Sequence, residues 1–114
     1  MKIVNRDTFL SLPMNTLFCK YESIGNFSGL EIKVNNPDSF YPDFVTLSIH
    51  DCWPQGCNDS SEFIDKMQAC EKGEEFEWDY EDTGRDGLYD NGQLFAVYDQ
   101  EDIGRLINLL KTLQ

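Results

Sequence analysis

Apolar residues in this chain recur at a spacing of two, in stretches too short for anything but a small sheet. Residues 30–34 (LEIKV) alternate Leu30, Ile32 and Val34 with Glu31 and Lys33. Residues 44–49 (FVTLSI) place Val45, Leu47 and Ile49 on the expected core side. Residues 75–80 (EFEWDY) alternate strictly, with Phe76, Trp78 and Tyr80 expected inward and Glu75, Glu77 and Asp79 outward. Successive strand side chains point to opposite faces, so this period marks strands with one buried and one wetted face. Residues 93–98 (QLFAVY) are apolar on both faces, which predicts a central strand, and shorter strands are expected at 2–4 and 17–22.

Helical signals are fewer. Asp59-Ser-Ser-Glu62 forms a capping box ahead of Phe63, Ile64, Met67 and Cys70, which share one helical face, and Gly73 is the natural stop. Asp99 caps a second helix with Asp102 three residues on; Ile103, Leu106, Ile107, Leu110 and Leu113 form its expected buried stripe. Residues 7–12 suggest one helical turn stopped by Pro13. Residues 23–29, the turn Asn35–Ser39, residues 50–58 and the glycine-punctuated residues 81–92 read as loops. Strands and helices do not alternate regularly, and no repeat or linker divides the chain. The expected fold is therefore a single α+β domain over residues 1–114, an antiparallel sheet of about five strands with two helices packed on one face.

Charge is distributed unevenly. Between Glu71 and Asp102 stand twelve carboxylates and two bases, Lys72 and Arg85, so that window holds net −10 of the total −12. A field so concentrated bears on partners and solubility rather than on fold. It disfavours direct binding to nucleic acid and to anionic membrane surfaces, both of which call for a basic face. No run of eighteen apolar residues is present, so no membrane span is expected. Asn5, Arg6 and Asp7 interrupt the opening MKIVNRDTFLSLP, which does not read as a secretory signal; a cytoplasmic setting is the expectation.

Four groupings could carry chemistry. His50, Cys52 and Cys57, with Cys19 or Cys70 as a fourth ligand, are of the types zinc takes, but the Cys-x4-Cys spacing is loose and a second pair is missing. The loop from Asp79 to Asp90 lies on a calcium-loop pattern through Asp79, Glu81, Thr83, Gly84 and Asp90. It departs from that pattern at Asp86, where an apolar residue belongs, and it follows a strand rather than a helix. One histidine and the absence of any nucleophile-elbow, phosphate-loop, dinucleotide or zinc-protease motif point away from an enzyme and from a bound cofactor. A small hydrolase or transferase using His50 with Cys52 or Cys57 is the remaining catalytic alternative.

The fourth grouping is the acidic face itself: Glu75, Glu77, Asp79, Glu81, Asp82, Asp86 and Asp90. On a strand, alternate carboxylates would repeat every ~6.8 Å, within a factor of two of the ~3.4 Å phosphate pitch of one DNA strand. Such a row could occupy a basic protein surface. The competing reading is that acid simply keeps a small protein soluble. Trp53 and Tyr89, both in loops, are candidate interface anchors.

Two segments carry a resemblance. RDTFLSLPMNTLFCKYE (residues 6–22) and RDGLYDNGQLFAVYDQEDIGRLINLL (residues 85–110) resemble small acidic accessory proteins of bacteriophages and prophages. The resemblance implies a non-enzymatic inhibitor of a host nucleic-acid-handling or defence protein, acting in the host bacterial cytoplasm. It transfers no functional residues.

Overall fold

The structure is a computed structural model that describes residues 1–37 and 43–114; Asp38 and Ser39 of the expected turn lie outside the described residues. In chain order the elements are β1 (Lys2–Val4), α1 (Arg6–Leu10), β2 (Thr16–Ser23), β3 (Asn26–Phe27), β4 (Glu31–Lys33), β5 (Phe44–Ser48), β6 (Trp53–Pro54), α2 (Ser60–Glu71), β7 (Trp78–Asp79), β8 (Gly84–Asp86), β9 (Leu94–Val97) and α3 (Gln100–Lys111). Among the described residues, seven strands form one sheet in the order β1-β9-β2-β4-β5-β8, with β3 paired to the far end of β2; β6 and β7 form a separate two-stranded ribbon. Every pairing is antiparallel. The expected α+β class and antiparallel sheet are present, with more strands than expected, several of them only two or three residues long.

Register explains the core. Residues directly opposite in an antiparallel pair project from the same face. Val4 faces Phe95, which faces Lys20. Phe18 faces both Val97 and Glu31, Lys33 faces Thr46, and Phe44 faces Asp86. One sheet face therefore carries Phe18, Phe44 and Phe95 together with Lys20, Glu31, Lys33 and Asp86. Helix α1 covers this face. Asn5 caps the helix by accepting from the Thr8 amide at 2.9 Å, and Phe9 enters the three rings from above. Phe9 stacks on Phe95 at 4.0 Å and meets Phe18 and Phe44 edge-on at 4.6 and 4.9 Å. Val4, Leu10, Leu12 and Val97 pack around these four rings, all of which are buried.

Two strands present the opposite face to that expected. In residues 30–34 the buried member is Lys33, 1% exposed, while Ile32 is only half-buried on the other side. In residues 44–49 the buried member is Phe44, and Val45 and Leu47 are half-buried. Alternation marks two faces but not which one a helix covers, and α1 lies over the face with the phenylalanines.

The charges on that face are neutralised locally. Asp86 lies 3.5 Å from Arg6 and 3.2 Å from Lys20 through its two oxygens, and its side chain is 8% exposed. Arg6 also lies over the Phe44 ring, 5.7 Å from its centroid. Burial raises the Glu31 carboxyl above its usual range, against the opposing pull of Lys20 and a hydrogen bond from Thr46. Lys33 donates to the carbonyls of Leu12 and Asn35, both at 2.8 Å. Its ammonium is held below its usual pKa by burial.

Helices α2 and α3 form where expected. Asp59 accepts from the Glu62 amide, Gly73 adopts φ +109° after α2, and Asp99 and Asp102 cap α3 reciprocally. Neither helix has a buried residue. Ile64 on α2 is exposed, as are Ile107, Leu110 and Leu113 on α3, so the stripe expected to be buried is only half-covered at Ile103 and Leu106. The stretch 75–80 also departs from expectation. It contributes only Trp78–Asp79 to the small ribbon, and Phe76 and Tyr80 are exposed instead of facing the core.

Replacing Phe9 with Ala removes the ring that touches all three others and should cost about 4 kcal/mol of stability, measured by urea unfolding. Lys33 supplies a pH test. Its folded-state pKa lies below that of the unfolded chain, so between the two values unfolding takes up a proton and stability rises with pH. The burial penalty is therefore full below the folded-state pKa and fades as pH rises towards the ordinary lysine range. Lys33→Met should lose this alkaline increment, seen as a flatter difference in unfolding free energy against pH.

Candidate binding surface

The acidic region is organised around Gln55, next to the β6–β7 ribbon and α2. Trp53 donates its indole N–H to the Cys57 carbonyl and stacks on Phe63 of α2, with ring centroids 4.8 Å apart. This contact joins the ribbon to the helix. The Gln55 amide donates to the Glu77 carbonyl at 2.9 Å and its side chain to the Trp78 carbonyl at 3.4 Å, which ties down the incoming strand. Gly56 turns the chain at φ +80°, a conformation that L side chains adopt only with strain.

Three adjoining open clefts meet at Gln55, of about 650, 480 and 460 Å³. Seven carboxylates line them: Glu62, Asp65, Glu74, Glu75, Glu77, Asp79 and Glu81. The cation among their lining residues is Lys66, and it already binds Glu74 at 2.8 Å. Aromatic rings stand among the carboxylates. Phe76 meets Trp78 edge-on at 4.9 Å, and Tyr80 lines the second cleft. Ring faces beside carboxylates in a concavity suit a guanidinium or ammonium group, which takes both ion pairing and contact with an aromatic face.

The seven acids expected to form one face separate into groups. Glu75, Glu77, Asp79 and Glu81 line the clefts. Asp79 is half-buried and accepts from the Glu81 amide at 3.0 Å, so part of its role is to close the turn. Asp82 is exposed in that turn, and its amide donates to the Asp79 carbonyl. Asp90 is exposed and accepts from the Gly92 amide at 2.9 Å. Asp86 faces inward to Arg6 and Lys20 and does not belong to the exposed set. Glu75 and Glu77 lie outside any strand, so the regular carboxylate row matched to phosphate pitch does not form. Glu62 and Asp65 of α2, together with Glu74, were not singled out from the sequence; the i, i+3 spacing of Glu62 and Asp65 is the signal that places both on one helix face.

The metal alternatives find no geometry among the described residues. Among the described residues no group of three or more His, Cys, Asp or Glu side chains is placed to hold a metal ion, through either the Cys52–Cys57 segment or the Asp79–Asp90 loop. All four cysteines are free, with Cys19 and Cys52 buried. Burial pushes both of these thiols above the usual range, the opposite of activation. His50 is exposed and lies 3.7 Å from Asp51. No helix among the described residues is long and apolar enough to cross a membrane.

Comparison with known proteins places this surface in no established class: no family, curated protein or solved structure matches the chain.

Thiol labelling checks the burial pattern directly. Cys57 and Cys70, both half-buried, should react with an aromatic disulfide in the folded protein. Cys19 and Cys52 should react only after denaturation. Fast labelling of Cys52 would contradict the packing of the ribbon.

Proposed function

We propose that this chain is a non-enzymatic binding protein that engages a basic protein surface through the acidic, aromatic-lined clefts around Gln55. The observation that carries this reading is the composition of those clefts, seven carboxylates with their lysine already paired. Glu74 is paired with Lys66, and Glu62 and Asp79 accept from backbone amides, but the carboxylates of the concavity together carry an excess of negative charge that an incoming cation would relieve. Long-range attraction to a basic partner speeds encounter, and the exposed Phe76 and Tyr80, with half-buried Trp78 between them, supply apolar contact once docked. The resemblance of residues 6–22 and 85–110 to phage accessory proteins gives the partner's class: a host protein that handles nucleic acid, whose basic surface this chain would occupy in place of its polyanion. The phage origin, the inhibitory role and the cytoplasmic setting belong to this proposal.

The test is competition. A basic DNA-binding protein held on labelled duplex DNA is titrated with the wild-type chain and with the triple variant Glu75→Lys, Glu77→Lys, Glu81→Lys. All three residues are exposed and outside the core, so the fold should survive, as circular dichroism would verify. The variant should need more than about tenfold higher concentration to displace DNA, since close charge pairs dominate such interfaces. Raising salt should weaken the wild-type competition. Reversing Asp7 and Glu22, exposed acids outside the clefts, should have a much smaller effect. Equal competition by the wild type and the triple variant would refute the reading.

A further inference from the structure

Helix α3 carries an apolar face that the rest of the described chain leaves open. Ile107, Leu109, Leu110 and Leu113 are 46%, 61%, 52% and 77% exposed. With half-buried Ile103 and Leu106 they repeat at spacings of three and four, which puts them on one side of the helix. The first turn is well anchored: Asp99 and Asp102 cap it reciprocally, and the Met1 amine lies 2.9 Å from Asp102. The helix is thus formed and oriented while its apolar side is exposed to water.

We propose that this face is a self-association surface, on which two copies of the chain pair through α3 packed antiparallel to its counterpart about a twofold axis. Charge selects a second copy and sets its direction. The chain carries net −12, but beyond Asp102 its charged residues are Arg105 and Lys111. This segment is one that two copies can bring together without opposing acid to acid. Within α3 the first turn is acidic, with Glu101 and Asp102, which Arg105 of the same helix and, at Asp102, the Met1 amine already partly offset; the last turn is basic, with Lys111. Antiparallel pairing sets Lys111 of each copy near the acidic first turn of the other and opposes the two helix dipoles favourably. Parallel pairing would set like ends together.

The area is sufficient for a modest dimer. The four exposed side chains make an apolar patch on the order of 500 Å², a size at which exposed apolar surface marks an interaction site. Two such patches closing on each other bury about 1,000 Å², near the lower bound for a specific interface. The net charge adds a signature. Two copies at −12 repel each other, so self-association should tighten as salt rises, opposite to the salt response of the acidic clefts.

Sedimentation velocity on the full chain from about 1 to about 100 μM tests this. A monomer–dimer equilibrium is expected, stronger at high salt. Leu110→Glu and Leu113→Glu should each raise the dissociation constant more than about tenfold, with unchanged circular dichroism because both side chains are exposed. At low salt Lys111→Gln should raise it about threefold by removing the contact with the opposing acidic turn. A wild-type chain that stays monomeric throughout, or a dimer indifferent to both leucine substitutions, overturns the proposal. A dimer strengthened by Lys111→Gln overturns the antiparallel arrangement, since only like ends in contact would gain from losing that charge.

Discussion

The packing of Phe9 on the sheet is the contact on which the rest of the fold depends. A five-residue helix has almost no stability of its own. Here α1 persists because one side chain stacks on Phe95 at 4.0 Å and touches Phe18 and Phe44 edge-on. Those three rings come from β2, β5 and β9, which are distant in sequence, so the cluster ties the first helix to both halves of the sheet. It also decides which face is covered at β4 and β5; on the central strands β2 and β9 the opposite face is buried as well, at Leu17, Cys19 and Ala96. Once the face with the rings is covered, alternate residues of the strands beneath α1 lie beside the rings whether apolar or not, so Lys33 is buried and Lys20 and Glu31 are half-buried.

The buried charges follow from this constraint. Lys20, Glu31, Lys33 and Asp86 occupy register positions on the covered face and cannot turn outward without shifting their strands by one residue and exposing the phenylalanines. Asp86 offsets two cations, Arg6 and Lys20, while Lys33 relies on two backbone carbonyls. Leaving any of these unpaired at such a depth would cost several kcal/mol. One carboxylate is thereby taken from the acidic segment to hold the sheet together, and its neighbours remain at the surface.

That division places the surface carboxylates outside the part of the molecule that holds the fold together. The clefts around Gln55 are built on the β6–β7 ribbon and α2, outside the four-ring core, and are joined internally by the Trp53–Phe63 stack and the hydrogen bonds of Gln55. Their carboxylates can vary without disturbing Phe9. The apolar side of α3 is similarly independent, since its helix is anchored by caps at its first turn. The molecule thus combines one compact aromatic core with two surfaces of opposite character, one acidic and concave, the other apolar and bordered by cations.

Local signals in the sequence determined the helices, the central strand and the α+β class. Asp59, Gly73, Asp99 and Asp102 act within four residues of their partners, and the two-sided apolar character of residues 94–97 matches a strand buried on both faces, at Phe95 and Ala96. The acidic character of the Gln55 surface was also legible, because Glu75, Glu77, Asp79 and Glu81 are close in sequence. Tertiary structure alone decided which face of each strand is covered, that Asp86 points inward, that Phe76 and Tyr80 stay outside, and that Glu62, Asp65 and Glu74 join the clefts. The physical reason is that alternation of period two carries no sign. It separates two faces of a strand, and only the docking of Phe9 from elsewhere in the chain chooses between them.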